Sequence, residues 1–135
     1  MEQKALIIET LKAQDIFKDC EMPELELMAS SVTSQPRLRP GDVVCEQGDP
    51  ADRWWIVVEG SADVVVDGID VGSIAAGDTI GELGLLDGMP RSASVIASSE
   101  MSLIEIDDAN FLEALRQSSE LGITMLREAA RRLRS

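Results

Sequence analysis

Ala62-Asp63-Val64-Val65-Val66-Asp67-Gly68-Ile69-Asp70-Val71 is the stretch that decides the fold. Apolar, mostly β-branched residues lie on both sides of an Asp-Gly pair. Asp-Gly suits a two-residue turn in which both central residues take positive φ. The stretch therefore predicts a β-hairpin turning at Asp67-Gly68. From about Ser34 to Asp107, further turn residues punctuate the chain at Pro40-Gly41-Asp42, Gly48-Asp49-Pro50, Gly60, Gly77-Asp78 and Gly88-Met89-Pro90. Short strands separated by roughly ten residues from turn to turn make a sandwich or a barrel. Trp54 and Trp55 are neighbours within one such strand, so one is expected to face the core and the other the opposite surface.

The flanks change period. Glu2–Ala13 is expected to be helical, with Ala5, Ile8 and Leu11 at helical spacing and Ile16-Phe17 closing the segment. Pro23 suits a first helical turn. After it, Leu25, Met28, Ala29 and Val32 fall at i, i+3, i+4 and i+7, an apolar stripe. Beyond Asp107, Phe111, Leu112 and Leu115 mark one helix. Ile123, Leu126, Ala130 and Leu133 mark a second, whose stripe is expected to pack on the strands or to continue into a dimer helix. The order is two helices, a β-roll over 34–107, then two helices over 108–135, within a single domain spanning 1–135.

Composition narrows the chemistry. The 135 residues include 12 basic and 25 acidic side chains, a net charge of −13, and no histidine. Histidine therefore cannot serve as metal ligand, general base or member of a Ser-His triad. Cys20 and Cys45 lie far apart without CxxC spacing, so no metal site is expected, and they read as reduced thiols of a cytoplasmic protein. An acidic chain is a poor match for nucleic acid or an anionic membrane, both of which need a basic face. No apolar run reaches the roughly 20 residues of a membrane span. Residues 1–110 carry 7 basic and 22 acidic groups (7 − 22 = −15), whereas 111–135 carry 5 and 3 (5 − 3 = +2). The C-terminal segment thus differs in character from the acidic body.

One segment carries the chemistry: Ile80-Gly81-Glu82-Leu83-Gly84-Leu85-Leu86-Asp87-Gly88-Met89-Pro90-Arg91-Ser92-Ala93-Ser94-Val95. Arg91 is the only cation between Arg53 and Arg116, and the same span holds twelve acids. Its planar fork suits phosphate oxygens. Gly81 and Gly84 let backbone N–H groups approach a ligand, and Leu83–Leu86 could form a helical turn whose free amides point at an anion. Glu82 accepts hydrogen bonds and suits a hydroxyl donor such as ribose. Set against this, a lone Arg91 in an acidic domain could be one half of a structural salt bridge, with Glu82 or another acid as its partner.

The segment resembles the phosphate-binding cassette of cyclic-nucleotide-binding domains, as in bacterial catabolite activator proteins and regulatory subunits of cyclic-nucleotide-dependent kinases. The likeness runs from Ile80 to Ala97. It extends to Pro40-Gly41-Asp42-Val43-Val44, Gln47-Gly48-Asp49 and the apolar strand ending at Gly60. It implies an α+β, mainly β fold: an eight-stranded antiparallel β-roll or jelly roll flanked by N-terminal helices and two C-terminal helices. It also implies roles for individual residues. Glu82 would accept the ribose 2′-hydroxyl, and Arg91 would hold the exocyclic oxygens of the cyclic phosphate. Gly81, Leu83 and Gly84 would offer backbone contacts, and Ser92 and Ala93 would line the phosphate side.

The function implied is that of a sensor and not an enzyme. The ligand is a 3′,5′-cyclic nucleotide, cAMP first and cGMP second, with no other cofactor. Binding would be relayed through the C-terminal helices to an output domain, fused or associated, or across a homodimer. The competing reading is a degenerate β-roll used only for interaction or dimerisation, without nucleotide. A metal cupin is remote, because the chain has no histidine.

Overall fold

The computed structural model describes residues 2–81 and 87–134. They form two compact units, Thr33–Asp108 and the helical segments on either side of it in sequence. Nine strands make up the first: β1 (Val32–Ser34), β2 (Arg37–Leu38), β3 (Val43–Cys45), β4 (Arg53–Glu59), β5 (Ser61–Val66), β6 (Ile69–Ala75), β7 (Thr79–Ile80), β8 (Ser94–Ala97) and β9 (Met101–Asp107). One sheet runs β1-β9-β4-β7, with β2 also paired to β9, and the other runs β3-β8-β5-β6. The pairings of β2 through β8 with their neighbours are antiparallel. The fold is thus mainly β with flanking helices, as expected.

The strand count among the described residues is nine where eight were expected, and Pro36 accounts for the difference. Gln35-Pro36 separates β1 from β2, both of which pair with β9. A proline has no N–H to give a ladder, although Pro36 O still accepts from the Leu103 N–H at 3.0 Å. Counted as one interrupted strand, β1 and β2 restore eight.

The hairpin turns where the sequence predicts. Asp67 and Gly68 both take positive φ, 51° and 80°. The side chain of Gln47 closes on this turn twice, donating to Asp67 Oδ1 at 2.9 Å and accepting the Asp67 N–H at 2.9 Å. Inward-facing residues of both sheets, among them Trp55, Val57, Ala62, Ile80, Val95, Ala97 and Leu103, form one buried cluster. Strand β4 is buried on both faces from Trp54 to Val57, with Trp54 and Trp55 0% and 5% exposed. The expectation that one tryptophan would lie at a surface is therefore corrected.

The helical unit comprises α1 (Glu2–Lys12), a 3₁₀ turn (Asp15–Phe17), α2 (Met22–Ser31), α3 (Asp108–Gln117, of which Asp108 belongs to the first unit) and α4 (Ser119–Arg134). Leu25, Met28 and Ala29 of α2 are buried as the stripe predicts. In α1 the buried pair is Ile7 and Leu11, with Ala5 exposed. Helix α4 departs further: Leu121 and Met125 are buried, whereas Ile123, Leu126 and Ala130 are exposed. Apolar residues occupy two faces of this helix, and spacing alone cannot say which face the fold takes.

Candidate functional site

Arg91 immediately precedes Ser92-Ala93 and β8, and the turn at Gly48-Asp49 fixes its backbone. The Gly48 N–H donates to Arg91 O at 2.8 Å, and the Arg91 N–H donates to Asp49 O at 2.8 Å. Its side chain runs inward, leaving the residue only 8% exposed. Nη1 donates to Gly81 O at 3.2 Å and Nη2 to Arg53 O. The guanidinium carbon lies 5.1 Å from the ring centroid of Trp55, within the distance of a cation–π contact. Among the described residues no carboxylate forms an ion pair with Arg91. A guanidinium carries five N–H donors, of which these two carbonyls engage one on each terminal nitrogen.

Among the described residues, Gly81 is the expected site residue whose backbone meets the Arg91 side chain. Its φ is +82°, and a Cβ there would run into Arg91 Nη1. The missing side chain, read from sequence as room for a ligand, here makes room for the arginine itself. Ser92 is exposed and Ala93 half-buried, and Ala93 O faces the Cys45 thiol at 4.0 Å. Glu82, Leu83 and Gly84 lie outside the described residues. The structure thus brings Gly81 and Arg91 together, with Ser92 and Ala93 continuing the chain from them.

Arg91 lines a cleft of about 380 Å³ whose walls include Leu38, Val44, Cys45, Trp55 and Glu105. Burial pushes the Cys45 thiol above its ordinary pKa, and the nearby Arg91 charge draws it partly back. At the cleft edge, Arg53 donates to Asp52 at 3.1 Å and to Glu105 at 3.5 Å. The hydrogen bond from Arg53 holds the Asp52 carboxyl below its usual range, and Asp52 in turn raises Arg53. Among the described residues, no group of three or more His, Cys, Asp or Glu side chains is placed to hold a metal ion. No described helix is long and apolar enough to cross a membrane.

Trp55, Arg53 and Glu105 escaped the sequence reading as site residues. Trp55 packs in the buried cluster, and one face of its indole also carries the Arg91 guanidinium. The Trp55 Nε1–H donates to Glu105 Oε1 at 2.9 Å, and the two residues are direct cross-strand partners. That pairing depends on the β4–β9 register, across fifty residues of sequence. The available signal was a Trp at i+2 from Arg53, on the same side of the strand.

Comparison with known proteins gives the family. Residues 35–118 match the model of the cyclic nucleotide-binding domain, and the chain belongs to that family, a class of regulatory domains. A cGMP-dependent protein kinase of Toxoplasma gondii is 34% identical over 116 residues, covering 85% of this chain and 12% of that protein. Among solved structures, the regulatory domain of Toxoplasma gondii PKA, co-crystallised with cAMP, has a TM-score of 0.78 at 26% identity, covering 94% of this chain and 51% of that one. The N-terminal domain of a transcriptional regulator from Streptomyces coelicolor A3(2) has a TM-score of 0.75 at 29% identity, covering 93% and 92%. The chain spans 12%, 28% and 31% of the length of three curated relatives that it matches.

Proposed function

We propose that this chain is a sensor that binds a 3′,5′-cyclic nucleotide, cAMP in preference to cGMP. In this reading it performs no chemistry on the ligand and passes binding through its C-terminal helices to a partner or fused output domain. The observation that carries the proposal is the buried Arg91, braced by two carbonyls and an indole face at the wall of a cleft. Burying a cation is costly unless strong acceptors receive it. A cyclic phosphate offers two exocyclic oxygens, sharing one negative charge, at the spacing of the guanidinium fork. Low local dielectric then strengthens their attraction beyond what water would allow.

In this reading Arg91 takes the phosphate oxygens and Glu82 accepts the ribose 2′-hydroxyl. Gly81, Leu83 and Gly84 give backbone contacts, and Ser92 and Ala93 line the phosphate side. The likeness to a PKA regulatory domain crystallised with cAMP supports the preference for adenine. The exposed apolar residues Ile123, Leu126 and Ala130 of α4 support a relay surface, since a partner helix or a second copy of the chain would use such a face. Two free thiols, Cys20 and Cys45, are in keeping with a reducing cytoplasm.

Calorimetric titration with cAMP and with cGMP tests the proposal. A saturable heat for both, half-complete at a lower concentration for cAMP, is the expected result. Tighter binding of cGMP would overturn the base preference. No heat with either ligand at millimolar concentration would overturn the sensor role in favour of a nucleotide-free interaction module.

A further inference from the structure

Resting on the assignment of Arg91 to the phosphate, we infer that Glu105 and Trp55 are positioning residues that fix the Arg91 guanidinium before any ligand arrives. Glu105 sits on β9 opposite Trp55 of β4, and its carboxylate has a nearly full complement of donors. Oε1 accepts from the Trp55 indole at 2.9 Å. Oε2 receives Ser34 Oγ at 3.1 Å, Thr33 Oγ1 at 3.4 Å and Arg53 Nη1 at 3.5 Å. One carboxylate therefore ties β1, β4 and β9 together at the point where the indole must be held flat.

The indole so held is the surface over which the Arg91 guanidinium lies, 5.1 Å from its centroid. The Arg53 backbone, on the same strand, accepts Arg91 Nη2. Arg91 thus touches two residues of β4, and Glu105 bonds to the side chains of both. An arginine side chain has many rotamers, and freezing them at the moment of binding weakens affinity. A guanidinium already clamped between an indole and two carbonyls has met that entropy loss during folding, so more of its attraction for an anion remains as affinity.

The choice of substitution follows from acceptor counting. Glu105→Gln keeps size and shape but leaves one acceptor oxygen. If that oxygen faces Trp55, the amide NH₂ faces the donors of Ser34, Thr33 and Arg53. If it faces those donors, the NH₂ confronts the indole N–H. Either arrangement loosens the indole. Trp55→Leu removes the face itself while keeping an apolar residue in the cluster.

Two readouts are needed. The first is the ¹H–¹⁵N signal of the Arg91 Nε–H in the ligand-free protein, which an indole face displaces by its ring current. It is expected to shift markedly in Trp55→Leu and to broaden or shift in Glu105→Gln, while backbone amides far from β4 and β9 stay in place. The second is cAMP affinity, expected to fall about tenfold in Trp55→Leu. In Glu105→Gln it is expected to fall roughly threefold, and the double variant should be no weaker than Trp55→Leu alone.

An Arg91 signal unmoved in both variants would overturn the inference, whatever the affinity does. Additive losses in the double variant would also overturn it, since Glu105 would then act other than through Trp55. If the unaltered protein binds no cyclic nucleotide but the Arg91 signal still moves as described, the positioning stands and the nucleotide assignment falls.

Discussion

Gly81→Ala tests the site without removing a charge, and Gly77→Ala supplies its control. Both glycines take positive φ, +82° and +95°, so alanine pays a left-handed backbone penalty of about 1–2 kcal/mol at either position. They differ in what the new Cβ meets. At Gly77 nothing lies within 4 Å, whereas at Gly81 the Cβ collides with Arg91 Nη1. The arginine tip is ordinarily free to give way, but here it is buried against Trp55 and two carbonyls. To yield, it must give up the charge-assisted hydrogen bond to Gly81 O, about 1.5–3 kcal/mol, and the stacking contact, roughly 0.5–2 kcal/mol. Gly81→Ala should therefore destabilise the protein by about 2–5 kcal/mol more than Gly77→Ala in urea denaturation. Its cAMP affinity should fall by roughly 10- to 100-fold through a misplaced charge-assisted bond of about 1.5–3 kcal/mol, while Gly77→Ala binds as the unaltered protein does. Equal affinities for the two variants would refute the claim that the placement of Arg91 governs binding.

Gly60→Ala should be among the most damaging single changes, because its Cβ would meet the Glu100 carbonyl and Met101 Cα at φ +94°. Backbone cannot retreat as a side-chain tip can, so a loss above about 3 kcal/mol is expected by chemical denaturation. Asp52→Asn tests the acid limb. Folding lowers this carboxyl through Arg53, so its stabilisation is complete above the unfolded carboxyl range near ~pH 4 and is lost as pH falls through the lower folded value. The pair is largely exposed, at 44% and 62%, so the variant should lose at most about 0.5 kcal/mol at pH 7 and nothing at the acid end of a denaturation series. Burial raises the pKa of both Cys20 and Cys45. Iodoacetamide at pH 8 should accordingly label each more slowly than a free thiol, and urea should abolish the protection.

How much was legible in the sequence follows from the range of each interaction. The hairpin at Asp67-Gly68 and the N-terminal stripe of α2 are local, set by turn chemistry and by neighbours three and four residues apart. Gly81 and Arg91 were each legible as site residues, one from the glycine-rich run and the other as a lone cation, but the contact between them was not. The Trp55–Glu105 pair was not, since it depends on which strand lies beside β4 and in which register. Similarly, the sequence marks Ile123, Leu126 and Ala130 as apolar. Only the fold decides that Leu121 and Met125 of α4 are buried. Pro36 shows a third case, a visible residue whose effect, dividing one strand into two, appears only when both halves are seen to share β9.

In the proposed function, one buried arginine makes this acidic domain a receptor for a cyclic phosphate. The most direct test is calorimetric titration of cAMP into the unaltered protein, Arg91→Leu and Arg91→Lys side by side, each first shown to be folded by its unfolding transition. Loss of one member of a buried charged pair costs about 3–5 kcal/mol, so affinity in Arg91→Leu should fall roughly 10²- to 10⁴-fold. Arg91→Lys should fall in between, keeping the charge without the fork. Undiminished cAMP affinity in a folded Arg91→Leu would contradict the account.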